Sequence, residues 1–240
     1  MNEANNNPTL TVHRAASRGS GDHGWLSTRH SFSFADWYDP GRMGFGTLRV
    51  LNDDRVTAGH GFGTHRHDNM EIVSIVTGGT LAHEDSVGNA GSLAAGEVQV
   101  MSAGRGIRHS EYNGGKGDLA FFQLWIIPDT PDVTPRYDKR AFPDAGPGEL
   151  LLVAPMGHTE GLNIHQDAYL SRLTLDADHP LQYALNKRGH GAYFFVIEGS
   201  VMIAGVHLGP RDAVGVENAD RVGLSASRKA VVLAIEVPMR

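Results

Sequence analysis

Glycine and proline interrupt this chain throughout: 30 glycines and 11 prolines are spread along 240 residues, with runs rich in Val, Ile, Leu and Phe between them. Both residues end regular elements, and β-branched and aromatic side chains favour a pleated backbone. Such punctuation restricts the chain to many short strands, and helical periodicity is hard to find. The expected strands are GTLRVLN (46 to 52), EIVSIVTG (71 to 78), GEVQVMSA (96 to 103), AFFQLWIIP (120 to 128), ELLLVAP (149 to 155), YLSRLTLD (169 to 176), AYFFVIEG (192 to 199), SVMIAGV (200 to 206) and AVVLAIEV (230 to 237). Strand and turn signals at this spacing point to barrels or sandwiches.

The two halves echo each other. Val76-Thr77-Gly78-Gly79, then Gly96-Glu97-Val98, then a strand ending at Pro128, recurs as Ile197-Glu198-Gly199-Ser200, then Gly209 to Val214, then a strand ending at Pro238. Two barrels of related design are therefore expected, over residues 1 to 130 and 149 to 240. The Pro- and Asp-rich segment 131 to 148 is expected to be a connector.

Charge and composition remove several function classes. The formal net charge is -6, and Lys and Arg are scattered in runs no longer than two, so no basic stripe exists to neutralise a phosphate backbone and direct nucleic-acid binding is not expected. The absence of cysteine excludes disulfides, thiolate metal sites, iron–sulfur ligation and a cysteine nucleophile. The first dozen residues are polar and lack the basic and apolar regions of a secretory signal. The longest apolar runs fall far short of the roughly 20 residues that a membrane-spanning helix needs. A soluble, cytoplasmic protein without membrane contact is the expectation.

Chemistry concentrates in GFGTHRHDNMEIVSIVTGG (61 to 79) and GEVQVMSAGRGIRHSEYN (96 to 113). His65 and His67 are two apart, as are His109 and Glu111, and side chains two apart on a strand share a face. Two such strands facing each other offer three imidazoles and a carboxylate to one borderline divalent ion, with coordination positions left for substrate or water. The second half holds His165, His179, His190 and His207 but no H-x-H pair, and its single H-x-E, His158-Thr159-Glu160, has no second histidine pair to face it. One barrel is thus equipped for chemistry and the other is not.

The spacing Gly59, five residues, His65-x-His67, three residues, Glu71, six residues, Gly78 is similar to the first signature of the cupin barrel. Gly96, followed by Ser102, Gly104, Gly106 and His109, is an altered form of the second. Strand parity does not carry across the turn at Asp68 to Met70, so it leaves open whether Glu71 faces the metal. HSFSFADWYDP (30 to 40), MGFGTLRVLNDD (43 to 54), GFGTHRHDNMEIV (61 to 73), AHEDSVGN (82 to 89), MSAGRGIRHSEYN (101 to 113) and TPRYDKR (134 to 140) resemble the pirin family. The resemblance is closest to its bacterial branch, which includes enzymes described as quercetin 2,3-dioxygenases.

That resemblance implies an all-β bicupin: two tandem jelly-roll barrels with few short helices. It implies one divalent transition metal ion per chain, Fe(II) first with Mn, Co, Ni, Cu or Zn as alternatives, held by His65, His67, His109 and Glu111. Glu71 is then not a ligand, but remains a candidate acceptor for the second ring nitrogen of a ligand histidine. The implied reaction opens the central ring of a flavonol with O2 and releases carbon monoxide, with Glu111 as the catalytic general base. Two rival readings are a metal-binding pirin-type regulatory protein that acts on a protein partner without turnover, and a cupin dioxygenase of another substrate. His30 and His83 lie in stretches that resemble family signatures, a loop histidine bonded to the backbone explains either one equally well, and His83-Glu84-Asp85 reads first as a polar turn. Phe32, Phe34, Trp37 and Phe45 are read first as core, with an apolar pocket over the metal as the alternative.

Overall fold

The computed structural model describes residues 7 to 239, so half of the polar N-terminal stretch read above lies outside the described residues. The all-β expectation holds. The strands are β1 (Thr9–His13), β2 (Gly19–Asp22), β3 (Leu26–His30), β4 (Leu48–Val56), β5 (Gly61–His67), β6 (Glu71–Gly78), β7 (Thr80–Asp85), β8 (Ala90–Ala94), β9 (Glu97–Ser102), β10 (Ile107–Asn113), β11 (Leu119–Ile126) and β12 (Arg136–Ala141). They continue as β13 (Gly148–Pro155), β14 (Leu162–Ile164), β15 (Tyr169–Leu175), β16 (Leu181–Ala184), β17 (His190–Glu198), β18 (Val201–Ile203), β19 (Val206–Leu208), β20 (Ala213–Glu217), β21 (Arg221–Ser225) and β22 (Ala230–Pro238). Among the described residues the helical content is a single 3-10 turn at Ala15–Ser17, and no helix is long and apolar enough to cross a membrane.

The strands gather into two compact units whose limits differ from those expected. One comprises residues 18 to 144 and 155 to 167; the other comprises residues 145 to 154 and 168 to 240 together with the stretch ending at Ser17. That stretch joins the C-terminal unit because β1 lies antiparallel to β20, Thr9 opposite Glu217 and His13 opposite Ala213. The expected connector, 131 to 148, contains β12, which pairs with β9 from Arg136 opposite Ser102 to Ala141 opposite Glu97. β12 is an edge strand, and its charged, largely exposed residues suit an edge that must not recruit further strands.

In the unit of residues 18 to 144, a larger sheet runs β12-β9-β6-β11-β4-β3-β2 and a smaller one β5-β10-β7-β8. Leu26, Val56, Val76, Leu81, Leu93, Leu119 and Phe121, drawn from both sheets, form a buried core between them. β6 has neighbours on both sides and is buried on both faces over its first six residues, hence apolar Ile72, Val73, Ile75 and Val76 on both of its faces, with the polar Glu71 and Ser74 buried among them. β10 is different: Ile107, His109, Glu111 and Asn113 are buried, while Arg108, Ser110 and Tyr112 are not.

The other unit repeats the plan, with β1-β20-β17-β22-β15-β13 in one sheet and β16-β21-β18-β19 in the other. Its core holds Tyr183, Phe194, Val196, Leu208, Val214 and Val232 among others. SVMIAGV, expected as one strand, is split into the hairpin β18–β19 because Ala204 and Gly205 both adopt positive φ, 48° and 81°, as a two-residue hairpin turn demands.

Candidate metal centre

His65, His67, His109 and Glu111 lie on the adjacent antiparallel strands β5 and β10, with His109 opposite His65 and Ile107 opposite His67. Regular pairing would then set Glu111 opposite Gly63. It lies opposite Phe62 instead, so β5 carries a bulge of one residue. Within this stretch His65 Nδ1–H donates to the Gly63 carbonyl oxygen at 2.8 Å. That bond fixes the tautomer, leaving the Nε2 lone pair of His65 free to ligate.

The imidazoles of His65, His67 and His109 converge, with ring centroids 4.4 to 5.0 Å apart and one nitrogen from each within 4.8 Å of the other two. His67 Nε2 and both ring nitrogens of His109 are buried without a hydrogen-bond partner. Leaving such a group unpaired costs about 1–3 kcal/mol, and a cation bound between the rings would satisfy one nitrogen on each. Burial, reinforced by the neighbouring imidazoles, lowers the pKa of His67 to about 4 and that of His109 to about 3. Both rings are therefore neutral at pH 7, the form that binds metal. The residues fit a divalent transition ion.

Glu111 is not part of that three-histidine cluster. Its carboxylate groups instead with His109 and His83, their candidate ligand atoms also within 4.8 Å of one another. Its oxygens face the larger sheet: Oε1 accepts from Ser74 Oγ at 3.1 Å and Gln99 Nε2 at 2.7 Å, and Oε2 accepts from Gln123 Nε2 at 3.1 Å. Burial raises the Glu111 pKa to about 7 against the opposing pull of those three donors. His109 thus belongs to both groups and joins the carboxylate to the other imidazoles.

The donors that hold Glu111 form one transverse row. Gln99 on β9 is opposite Ser74 on β6, Ser74 is opposite Gln123 on β11, Gln123 is opposite Asn52 on β4, and Asn52 is opposite His30 on β3. Ser74 Oγ, which shares its one proton between Glu111 Oε1 and Gln123 Oε1, lies 2.6 Å from the latter, His30 Nδ1 lies 2.8 Å from Asn52 Oδ1, and Tyr137 donates to Gln99 Oε1 at 3.1 Å. No sequence motif marks this row, and His30, which the sequence leaves open between a signature residue and a loop histidine, is the last residue of β3. The available signal was a lone Gln, Ser or Asn inside each of several short apolar strands, since a buried polar group needs partners.

His83 requires a correction. It is not in a polar turn but on β7, directly opposite Glu111, buried, and stacked on Tyr137 with ring centroids 4.5 Å apart. The turn begins after Asp85, whose carboxylate takes the backbone N–H of Val87 and of Asn89. His83 Nε2 lies 3.3 Å from Asp85 Oδ2, and its Nδ1 is buried and unpartnered. Glu71 does not orient any ligand histidine: it accepts from Ser102 Oγ at 2.7 Å and from the backbone of His165, and burial raises its pKa to about 7.

His65, His67 and Glu111 open on a cavity of about 450 Å³ whose remaining walls are Trp25, Phe34, Asn52, Asp54, Gly61, Phe62, Gly63, Phe121, Gln123 and Trp125. The size and the mix of aromatic walls with a few polar groups are those of a small-molecule site. Of the four aromatics singled out above, Phe34 lines it, edge-on to Trp125 at 5.4 Å. Phe32 and Phe45 are buried core, and Trp37 covers Gly19, where a Cβ would strike its ring at 2.2 Å.

Residues 11–126 match the pirin family model, and residues 151–237 match that of the quercetinase C-terminal cupin domain. The quercetin 2,3-dioxygenase of Escherichia coli K12 is 42% identical over 232 residues, covering 95% of this chain and 99% of that protein. A pirin-like protein of Caulobacter vibrioides is 38% identical over 91% of this chain and 95% of its own length. The crystal structure of the bacterial pirin YhhW from Escherichia coli in complex with nickel(II) superposes with a TM-score of 0.92 at 40% identity, covering 97% of this chain and 100% of that one. With full-length relatives at this identity and both family models matched in tandem, the chain belongs to the pirin family, as a bicupin with a quercetinase-type C-terminal domain.

Proposed function

We propose that this protein is a metal-dependent dioxygenase of the quercetin 2,3-dioxygenase type, which opens the central ring of a flavonol with O2 and releases carbon monoxide. The observation that carries the reading is the set of unpartnered imidazole nitrogens beside an aromatic-walled cavity on which the buried carboxyl group of Glu111 also opens. His65, His67, His109 and Glu111 would hold the ion, with Fe(II) as the ion proposed. When bound, it supplies Lewis acidity and redox capacity.

The protein's own groups do the rest. Trp25, Phe34, Phe62 and Trp125 offer flat faces and edges against which a fused aromatic ligand packs and excludes water. Glu111 opens on the same cavity, and when it does not ligate the ion its carboxylate would take the proton of the flavonol 3-hydroxyl. Gln99 and Gln123 each donate to a different Glu111 oxygen, so the carboxylate keeps hydrogen bonds on both while it exchanges that proton. The relatives named as quercetin 2,3-dioxygenases support the substrate class, and the nickel(II) complex of a 40% identical pirin supports the divalent ion.

Protein reconstituted with Fe(II) is expected to bleach the visible absorbance of quercetin while consuming O2 and releasing CO. Glu111→Gln should slow this by more than its loss of metal accounts for. Metal-loaded, folded protein that consumes no O2 with any of a panel of flavonols would overturn the assignment.

A further inference from the structure

The cavity contains a second buried carboxyl group for which metal binding has no use. Asn52 and Asp54 are two apart on β4 and both line the cavity, while Asp53 between them meets Arg18 at 3.5 Å. Asp54 is 4% exposed and lies opposite Thr28 on β3 and Phe121 on β11. Thr28 donates to its carboxyl group, yet Oδ1 is buried without any partner. No cation balances it among the ion pairs of the described residues. Burial first, and then the Asp53 and Glu111 carboxyls, raise its pKa to about 7.

A buried, half-satisfied carboxyl group is costly, and such groups persist where a ligand completes them. We propose that Asp54 is a substrate-recognition residue: a turn of its carboxyl group brings the oxygen that now lacks a partner to the cavity, where it accepts a hydrogen bond from a ring hydroxyl of a polyhydroxylated aromatic ligand, distinct from the hydroxyl that faces Glu111. The inference rests on the dioxygenase reading for the identity of the ligand, but not for the polar contact. A cavity with aromatic walls and two separate carboxyl groups selects flat molecules with hydroxyls at more than one edge. An aromatic with a single hydroxyl leaves one carboxyl oxygen buried and unpaired, which is how a polar site rejects an analogue.

The test is anaerobic titration of the nickel-loaded protein, following the fluorescence of Trp25 and Trp125, both of which line the cavity. Quercetin is compared with 3-hydroxyflavone, which keeps the skeleton and only the 3-hydroxyl. Wild type should prefer quercetin by about tenfold to a hundredfold, the worth of a hydrogen bond to a charged group. Asp54→Leu should erase that preference by weakening quercetin alone, and Asp54→Asn, which keeps an acceptor, should retain part of it. Asp54→Leu weakening both ligands equally, or leaving the preference intact, overturns the proposal. If wild type binds neither flavonol, the dioxygenase reading fails, and 2,6-dihydroxynaphthalene against 2-naphthol then decides for Asp54. A preference for the diol that Asp54→Leu removes sustains the assignment, and equal binding of the two, or a preference that Asp54→Leu leaves unchanged, ends it.

Discussion

Loading the site with metal should titrate Glu111, and the size of the effect follows from its surroundings. Burial raises the carboxyl pKa to about 7 despite hydrogen bonds from Ser74, Gln123 and Gln99, whereas a ligating carboxylate must be deprotonated. An acid of that pKa is about nine-tenths protonated at pH 6 and about one-tenth at pH 8. Metal uptake should therefore expel about 0.9 proton from this group at pH 6 and about 0.1 at pH 8. His67 and His109 add almost none at pH 6, because burial and the adjacent imidazoles already hold them neutral. The assay is calorimetric titration with nickel(II) at each pH in two buffers of different ionisation heat, on wild type and Glu111→Gln. Glutamine keeps the shape and releases no proton, so subtraction isolates Glu111 from every other titrating group. Equal proton release by the two proteins at pH 6, or a difference that persists undiminished at pH 8, would refute ligation by a carboxyl with a raised pKa.

Three further outcomes are expected. Glu71 has its pKa raised from 4.5 to about 7 by burial, so its contribution to folding is present below about pH 4.5 and lost as pH rises through 7. Glu71→Gln should flatten the fall in Tm between pH 5 and 8 by the equivalent of about 3 kcal/mol, and an unchanged profile would contradict this. Gly104 has φ 47°, and a Cβ there would lie 1.9 Å from the Val133 carbonyl oxygen. Gly104→Ala should therefore cost about 2 kcal/mol or more in chemical denaturation, and, because the loop leads into β10, lower nickel affinity; wild-type values for both would show that the loop relaxes freely. In the other unit Glu236 accepts from Tyr183, His190, the side chain of Asn186 and the backbone N–H of Asn186 and Lys187. Glu236→Ala should destabilise the protein by about 3–5 kcal/mol with nickel per folded chain unaltered, and a loss below about 1 kcal/mol would mean water replaces the carboxylate.

What could be read from the sequence followed the reach of each rule. Alternation is local, and β10 obeys it, so His109 and Glu111 were correctly placed on one inward face. The strands EIVSIVTG and AVVLAIEV are nearly continuous apolar runs and were recovered almost to the residue. Register is not local. The bulge in β5 between Phe62 and His65, which shifts Glu111 against that strand, depends on how two strands meet and leaves no mark on either alone. His83 was misread for a related reason: HED is polar in composition, but on β7 it is buried by what lies across from it, Glu111 on β10 and Tyr137 on β12. The same holds for Ser74, Gln99, Gln123 and Asn52, each unremarkable within its own strand and meaningful only as a row across four of them. The motif therefore reports which atoms could meet an ion, while the groups that set the charge on Glu111 and the shape of the cavity come from strand pairing. For this reason a substitution in that row, though it removes no candidate ligand, should move the proton affinity of Glu111 while leaving the three imidazoles in place.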